Sequence, residues 1–233
     1  MKKISTKDMA YIALYIALYI VLKYVGNWIP FLVMPNGGSI ELELIAVFIA
    51  SYHLGFLKGA ITAILSMLIS WIFWQPWYIN PMQLFFDYFG PITVCGLASI
   101  LWPLKKLNNI SAIIVSLLLA IATFLGVYYC FNQTVWAITG AIVVAIVIFI
   151  FAYKFPTAVM YYGVGISMII KGFFHVISGA YYWAEGMAAG SVEAWVFSVT
   201  YNLWYNLATL AICIIVVPLL AERLKKSGIK FVD

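Results

Sequence analysis

Few residues in this chain are equipped for chemistry, and they gather in a handful of segments. The segment GFFHVISGAYYWAEG (172–186) sets His175, Trp183 and Glu185 inside a hydrophobic run. In helical steps Lys171 lies one turn before His175, and Gly179, Tyr182 and Trp183 follow at plus four, seven and eight. The spacing predicts one face bearing Lys171, His175, Tyr182 and Trp183, with Gly179 opening space between them. Ionisable side chains are costly against lipid, so this face should turn inward. It is either a binding wall or a packed helix contact at Gly179. In PMQLFFDYFGP (81–91), Gln83 and Asp87 stand one turn apart and Tyr88 adjoins Asp87. An intramembrane Asp needs a partner: Lys171, His175 or a bound cation. An Asp–Lys pair that only fixes helix packing is the plainer alternative. In AWVFSVTYNLWYN (194–206), Ser198, Asn202 and Asn206 form a stripe at steps of four, amid Trp195, Tyr201, Trp204 and Tyr205. Such asparagines bind a ligand or bridge helices, and such aromatics line a site or form an interfacial belt.

Glu41 and Glu43 are two residues apart and point different ways on one helix, so one lines the site and the other faces water. No His or further carboxylate stands at metal-ligand spacing, and no cofactor is expected. Phosphate-binding Gly loops, nucleophile–base motifs and H-E-x-x-H are absent, so ATP-driven work needs another subunit. A membrane enzyme using His175 with Asp87 or Glu185 as an acid–base pair is the alternative class; helical rise alone separates His175 and Glu185 by about 15 Å, too far for a direct pair. The chain is read as a non-enzyme. A carboxylate among aromatic faces suits a planar or cationic organic molecule, held by stacking and cation–π attraction.

The elements that must position these residues are transmembrane helices. The chain has 233 residues, 66% hydrophobic and 9% charged, which excludes an ordinary soluble domain. The fold class is all-α, a polytopic transmembrane helical bundle forming one integral membrane domain over 1–233. Spans are expected near 8–28, 40–56, 58–75, 83–104, 110–131, 134–153, 158–183 and 195–221, eight in all, or six plus a broken pair. The lysine-led N-terminus is read as a retained first helix, because its apolar stretch is long for a signal peptide. Basic residues favour the cytoplasmic side. With Lys2, Lys3 and Lys7 inside, Lys58, Lys105, Lys106, Lys154, Arg223, Lys225, Lys226 and Lys230 also fall inside. This puts both termini in the cytoplasm and explains the net charge of +5 without nucleic acid. Lys23 and Lys171 break the pattern. The irregular, Pro- and Gly-bearing segments 27–43, 74–88 and 183–195 fall outside, so the outer face is expected to carry the site. Cys95, Cys130 and Cys213 lie in apolar runs without metal spacing and are expected to be buried fillers. In AYIALYIALYI (10–20), Ala13 and Ala17 form a small-x-x-x-small face.

Four segments resemble one known family. NGGSIELELIAVFIASYHLGFLKGAITA (36–63) resembles its first outer loop and second helix. NPMQLFFDYFGPITVCGLA (80–98) is similar to its P-x-Q-x-x-x-[DE]-Y segment. KGFFHVISGAYYWAEGM (171–187) resembles its basic-x-x-x-His-x-x-Ser-Gly…Trp segment, and VFSVTYNLWYN (196–206) its last-helix Tyr/Asn segment. The family is that of the thiamine-specific substrate-binding S components of energy-coupling factor (ECF) vitamin importers. The resemblance implies a cell-membrane protein that binds thiamine from outside. It then docks on a transmembrane coupling subunit served by two ATPases.

It further implies that Asp87 and Tyr88 contact thiamine, that His175 and Trp183 are the family's His and stacking Trp, and that Asn202 is its ligand-binding Asn. Trp77 or Tyr78 falls near an aromatic contact, and Glu41 and Lys171 join the candidate wall. The Ala13–Ala17 face corresponds to the docking motif. Phe197 stands where tyrosine is usual, Lys171 replaces an arginine, and Asp87 replaces a glutamate. Affinity and the choice of vitamin or precursor are therefore open. Six family-type helices plus an inserted hairpin at 110–153 would account for the long stretch between Lys105 and His175 and preserve topology.

Overall fold

The structure is a computed structural model that describes residues 4–34, 37–100, 134–154 and 158–231, with individual positions between 113 and 128. The expected span at 110–131 and Cys130 therefore lie largely or wholly outside the described residues. Helix α1 is Thr6–Trp28, α2 Leu44–Leu54, α3 Phe56–Ser70, α4 Pro81–Leu84 and α5 Gly90–Gly96. Helix α6 is Thr134–Lys154, α7 Ala158–Ser178 and α8 Val192–Lys226. No strand is formed among the described residues; the nearest to one is a single antiparallel bridge, Val33 to Ser39.

Local chemistry explains where the helices start and stop. Ser5 and Asp8 cap α1 reciprocally, each side chain meeting the other's backbone N–H. Helix α2 ends at Gly55, which takes φ +91° and lets α3 double back at once. Asn80 caps α4 by accepting from Gln83 N–H, and Pro81 follows at the first helical position. Between α4 and α5 the chain widens into a π-helical turn, Phe85–Phe89. Pro91 is the cause that fits: it has no N–H to donate to the Asp87 carbonyl four residues back. The 35 residues of α8 reach about 52 Å by rise, more than a bilayer core of about 30 Å.

Helix α2 is the axis of the bundle. The expected span 40–56 contracts to 11 residues, and all of them are buried. Apolar on every side, α2 can only be a core helix; α1, α3, α5 and α8 surround it. Lipid gives helices little hydrophobic reason to associate, so small residues set the packing. A Cβ on Gly59 would lie 2.5 Å from the Gly96 carbonyl, and one on Gly163 would collide with the Tyr52 hydroxyl and the Ala98 carbonyl. Tyr52 O–H donates to Met160 C=O at 3.1 Å, and Ser51 and Ser99 share hydroxyl and backbone bonds at 3.0 Å. Cys95 and Cys213 are free and buried, as expected of fillers. Ala13 and Ala17 are exposed on the outer side of α1.

Both lysines that break the charge pattern find glutamates from the first loop. Lys23 lies 3.4 Å from Glu43, and Lys171 lies 2.5 Å from Glu41. The expectation that one of these glutamates faces water is corrected: Glu43 is 4% exposed. Residue 43 caps a helix driven into the core, so its carboxylate is carried inside and needs Lys23.

Candidate functional site

The candidate residues converge at one end of the bundle, where the α1–α2 loop, α4, the end of α7 and the first half of α8 meet. The loop folds back on itself: Met34 N–H donates to Gly38 C=O and Ile40 N–H to Leu32 C=O, both at 2.7 Å. It is tied down by Gly38 N–H to the Tyr201 hydroxyl at 3.4 Å and Glu41 N–H to Thr209 Oγ1 at 3.1 Å.

The stripe of α8 faces α7. Ser198 Oγ–H donates to Val176 C=O at 2.7 Å, and Asn202 Nδ2–H to His175 C=O at 3.3 Å. Lys171 Nζ donates to Asn206 Oδ1 at 2.8 Å. Gly179 makes this approach possible, since a Cβ there would overlap the Ser198 and Asn202 side chains. His175 Nδ1 lies 2.9 Å from the Tyr205 hydroxyl, and that hydroxyl donates to Asn202 Oδ1. The hydroxyl has one proton and spends it on Asn202, so Nδ1 must carry the proton of the His–Tyr bond. A neutral His175 then has a bare acceptor at Nε2. That atom is buried and has no hydrogen-bond partner among the described residues.

The second wall gathers on Asp87, itself half-buried. Its Oδ2 accepts from Trp183 Nε1–H at 2.9 Å and from Gln83 Nε2–H at 3.3 Å. Trp77 leans on Trp183 with ring centroids 4.6 Å apart. Tyr88 O–H donates to Trp77 C=O at 3.1 Å and accepts Trp77 N–H at 3.2 Å, fixing this segment. Trp71 meets Tyr88 edge-on at 5.8 Å. Of the two aromatic alternatives, Trp77 joins the cluster by its contact with Trp183, although both rings are about half exposed.

Two sequence expectations are corrected. Asp87 takes neither Lys171 nor His175; Trp183 and Gln83 hold it, and Lys171 takes Glu41 instead. His175 and Trp183 do not share partners on one straight stripe. The π-helical turn Gly179–Trp183 spreads residues over a wider turn, sending Trp183 toward Asp87 while His175 stays packed against Asn202 and Tyr205 of α8. Asn202, Glu41, Lys171, His175, Trp183, Asp87, Tyr88 and Trp77 do end up around one end. Tyr205 and Gln83 are the residues whose importance the sequence understated. Tyr205 lies three residues after Asn202 and Gln83 four before Asp87, so helical spacing was the available signal. Phe197 stacks on Tyr201 at 6.1 Å and adds only an apolar face.

The arrangement sets a bare imidazole acceptor on one wall and a carboxylate held by an indole N–H on the other. Comparison with known proteins agrees with a small-molecule carrier. The chain is 27% identical over 205 residues to the thiamine transporter ThiT of Bacillus subtilis (strain 168), covering 84% of this chain and 83% of that protein. Its fold matches the structure of ThiT from Listeria monocytogenes, solved by native-SAD phasing, with a TM-score of 0.53 at 16% identity. That match covers 92% of this chain and 96% of the other. The family model described as thiamine transporter protein matches residues 9–145, more than half of the chain, and this chain belongs to that family of membrane transport proteins.

Proposed function

We infer that this chain is the thiamine-binding subunit of an ECF-type importer, capturing its substrate at the outer end of the bundle. The observation that carries the reading is the buried Nε2 of His175, without a hydrogen-bond partner among the described residues, on a helix that runs on into Trp183, which holds Asp87. Eight residues separate His175 from Trp183, about 12 Å of helical rise, a span suited to a two-ring ligand. The aminopyrimidine of thiamine offers N–H donors to His175 Nε2, with Asn202 and Tyr205 fixing the imidazole. The thiazolium is permanently cationic; it stacks on Trp183 and Trp77 beside the counter-charge of Asp87. Lys171 and Glu41 secure the loop over the site.

Both termini are cytoplasmic in this reading, and the exposed Ala13–Ala17 face docks on the transmembrane coupling subunit, whose two ATPases drive release. An inserted hairpin over 110–153 remains part of this reading; its first half lies largely outside the described residues, and α6 packs beside α7. The chain binds thiamine without chemical change, so it needs no cofactor.

Titration of the detergent-purified chain with thiamine, read by tryptophan fluorescence and repeated with Trp183→Phe, tests the ligand. Saturable quenching that is lost or much reduced in the variant is expected. No response to thiamine, with a thermal shift on another vitamin, moves the substrate; silence for all vitamins sinks the reading. Ala13→Trp should leave binding intact and abolish uptake, and uptake that survives it removes the docking assignment.

A further inference from the structure

The opposite end of the bundle holds a polar cavity that the transport reading does not use. Its volume is about 520 Å³, and it lies between the start of α1, the α2–α3 turn and the segment after α8. Lys7, Lys58 and Lys230 line it against a single carboxylate, Asp8. Asp8 is already engaged by Lys58 at 2.7 Å and by the α1 cap. His53 lines the cavity too and is 7% exposed. Its Nδ1 is held by the Tyr15 hydroxyl at 2.8 Å; with Tyr15 donating, Nε2–H is the remaining donor of the ring. Tyr11 packs edge-on against His53 at 4.5 Å, and Phe231 covers it at 5.7 Å. Helix α3, 15 residues long, starts here at Gly55 without a side-chain cap, so the positive end of its dipole adds to the lysines.

We propose that this cavity binds a phosphate group at the end of the bundle opposite the candidate vitamin site. The lining is donor-rich, with three ammonium groups, an imidazole and an uncapped helix start. Lysines act as point charges toward phosphate oxygens. The apolar surfaces of Tyr11, Leu54 and Ile229 suit the carbon skeleton attached to that group. Two sources have this chemistry: the headgroup of an anionic phospholipid and a soluble phosphate ester. Placing this end in the cytoplasm rests on the transport reading, but binding itself does not. A ligand here would touch α1, α3 and the chain after α8 together, and so brace the base of the helix that bears the Ala13–Ala17 face.

The full chain is reconstituted in phosphatidylcholine nanodiscs, with and without an equal share of phosphatidylglycerol, and its thermal unfolding is followed. The phosphatidylcholine sample is also titrated with inorganic phosphate against chloride at matched ionic strength. A higher melting temperature with phosphatidylglycerol alone identifies the lipid headgroup; a saturable rise with inorganic phosphate identifies a soluble phosphate group. In either case Lys7→Gln/Lys230→Gln should weaken the response about tenfold or more. Lys226→Gln, at the same end but outside the cavity, should keep it. No shift with either probe, an unchanged shift in the double variant, or equal loss in Lys226→Gln overturns the site. Because the readout contains no thiamine, failure here leaves the vitamin reading standing, and failure there leaves this one standing.

Discussion

Asp87→Asn is the sharpest test of how the candidate site treats charge. The substitution keeps shape and removes one negative charge. The amide that replaces the carboxylate still offers an oxygen to Trp183 Nε1–H and Gln83 Nε2–H, which reach Asp87 at 2.9 and 3.3 Å, so the wall should stay in place. A cation stacked on the Trp183 ring would lie about 5 Å from the carboxylate, and at an effective dielectric of about 20 the attraction is about 3 kcal/mol. That corresponds to roughly 150-fold in affinity. The assay is isothermal titration of wild type and variant with thiamine and with its uncharged aminopyrimidine half. Thiamine should lose about two orders of magnitude, while the neutral half should lose less than about threefold. Equal losses for both ligands would mean that Asp87 acts by shape or hydrogen bonding. No loss for thiamine would remove Asp87 from the cation's surroundings.

Further outcomes follow from the site and from the helix packing. Tyr205→Phe strips the His175 Nδ1–H of its acceptor and Asn202 Oδ1 of a donor, so thiamine affinity should fall about tenfold, with a lower melting temperature, since a buried group left unsatisfied costs about 1–3 kcal/mol. Lys171→Met should destabilise the chain by about 2–3 kcal/mol, somewhat less than for a fully enclosed ion pair because Glu41 keeps some exposure, and Lys171→Arg should restore most of it in thermal unfolding. Gly163→Ala should lower stability by about 1–3 kcal/mol through overlap with Tyr52 and Ala98. Gly172→Ala, whose added Cβ has nothing nearer than 3.9 Å, should be neutral or slightly stabilising in the same assay.

The sequence determined the membrane class, the long helices and the inward turn of the ionisable residues, because each follows from local composition and from the cost of charge in lipid. The stripe Ser198–Asn202–Asn206 was legible for the same reason: a period of four on a helix is a face, and that face meets α7. What pairs with what was not legible. Asp87 looked suited to Lys171 or His175 by charge, yet Trp183 and Gln83 hold it, while Lys171 goes to Glu41 on a loop 130 positions earlier in the chain. Such pairings depend on how far one helix slides and rotates against another, and no period within a single helix encodes that. The two π-helical turns made the difference larger. Pro91 hints at the first, but only the packed bundle decides that the second carries Trp183 away from His175 and so splits one apparent stripe into two facing walls. Tertiary structure also decided that α2 is the core rather than another lipid-facing span, because burial on every side is a property of its neighbours.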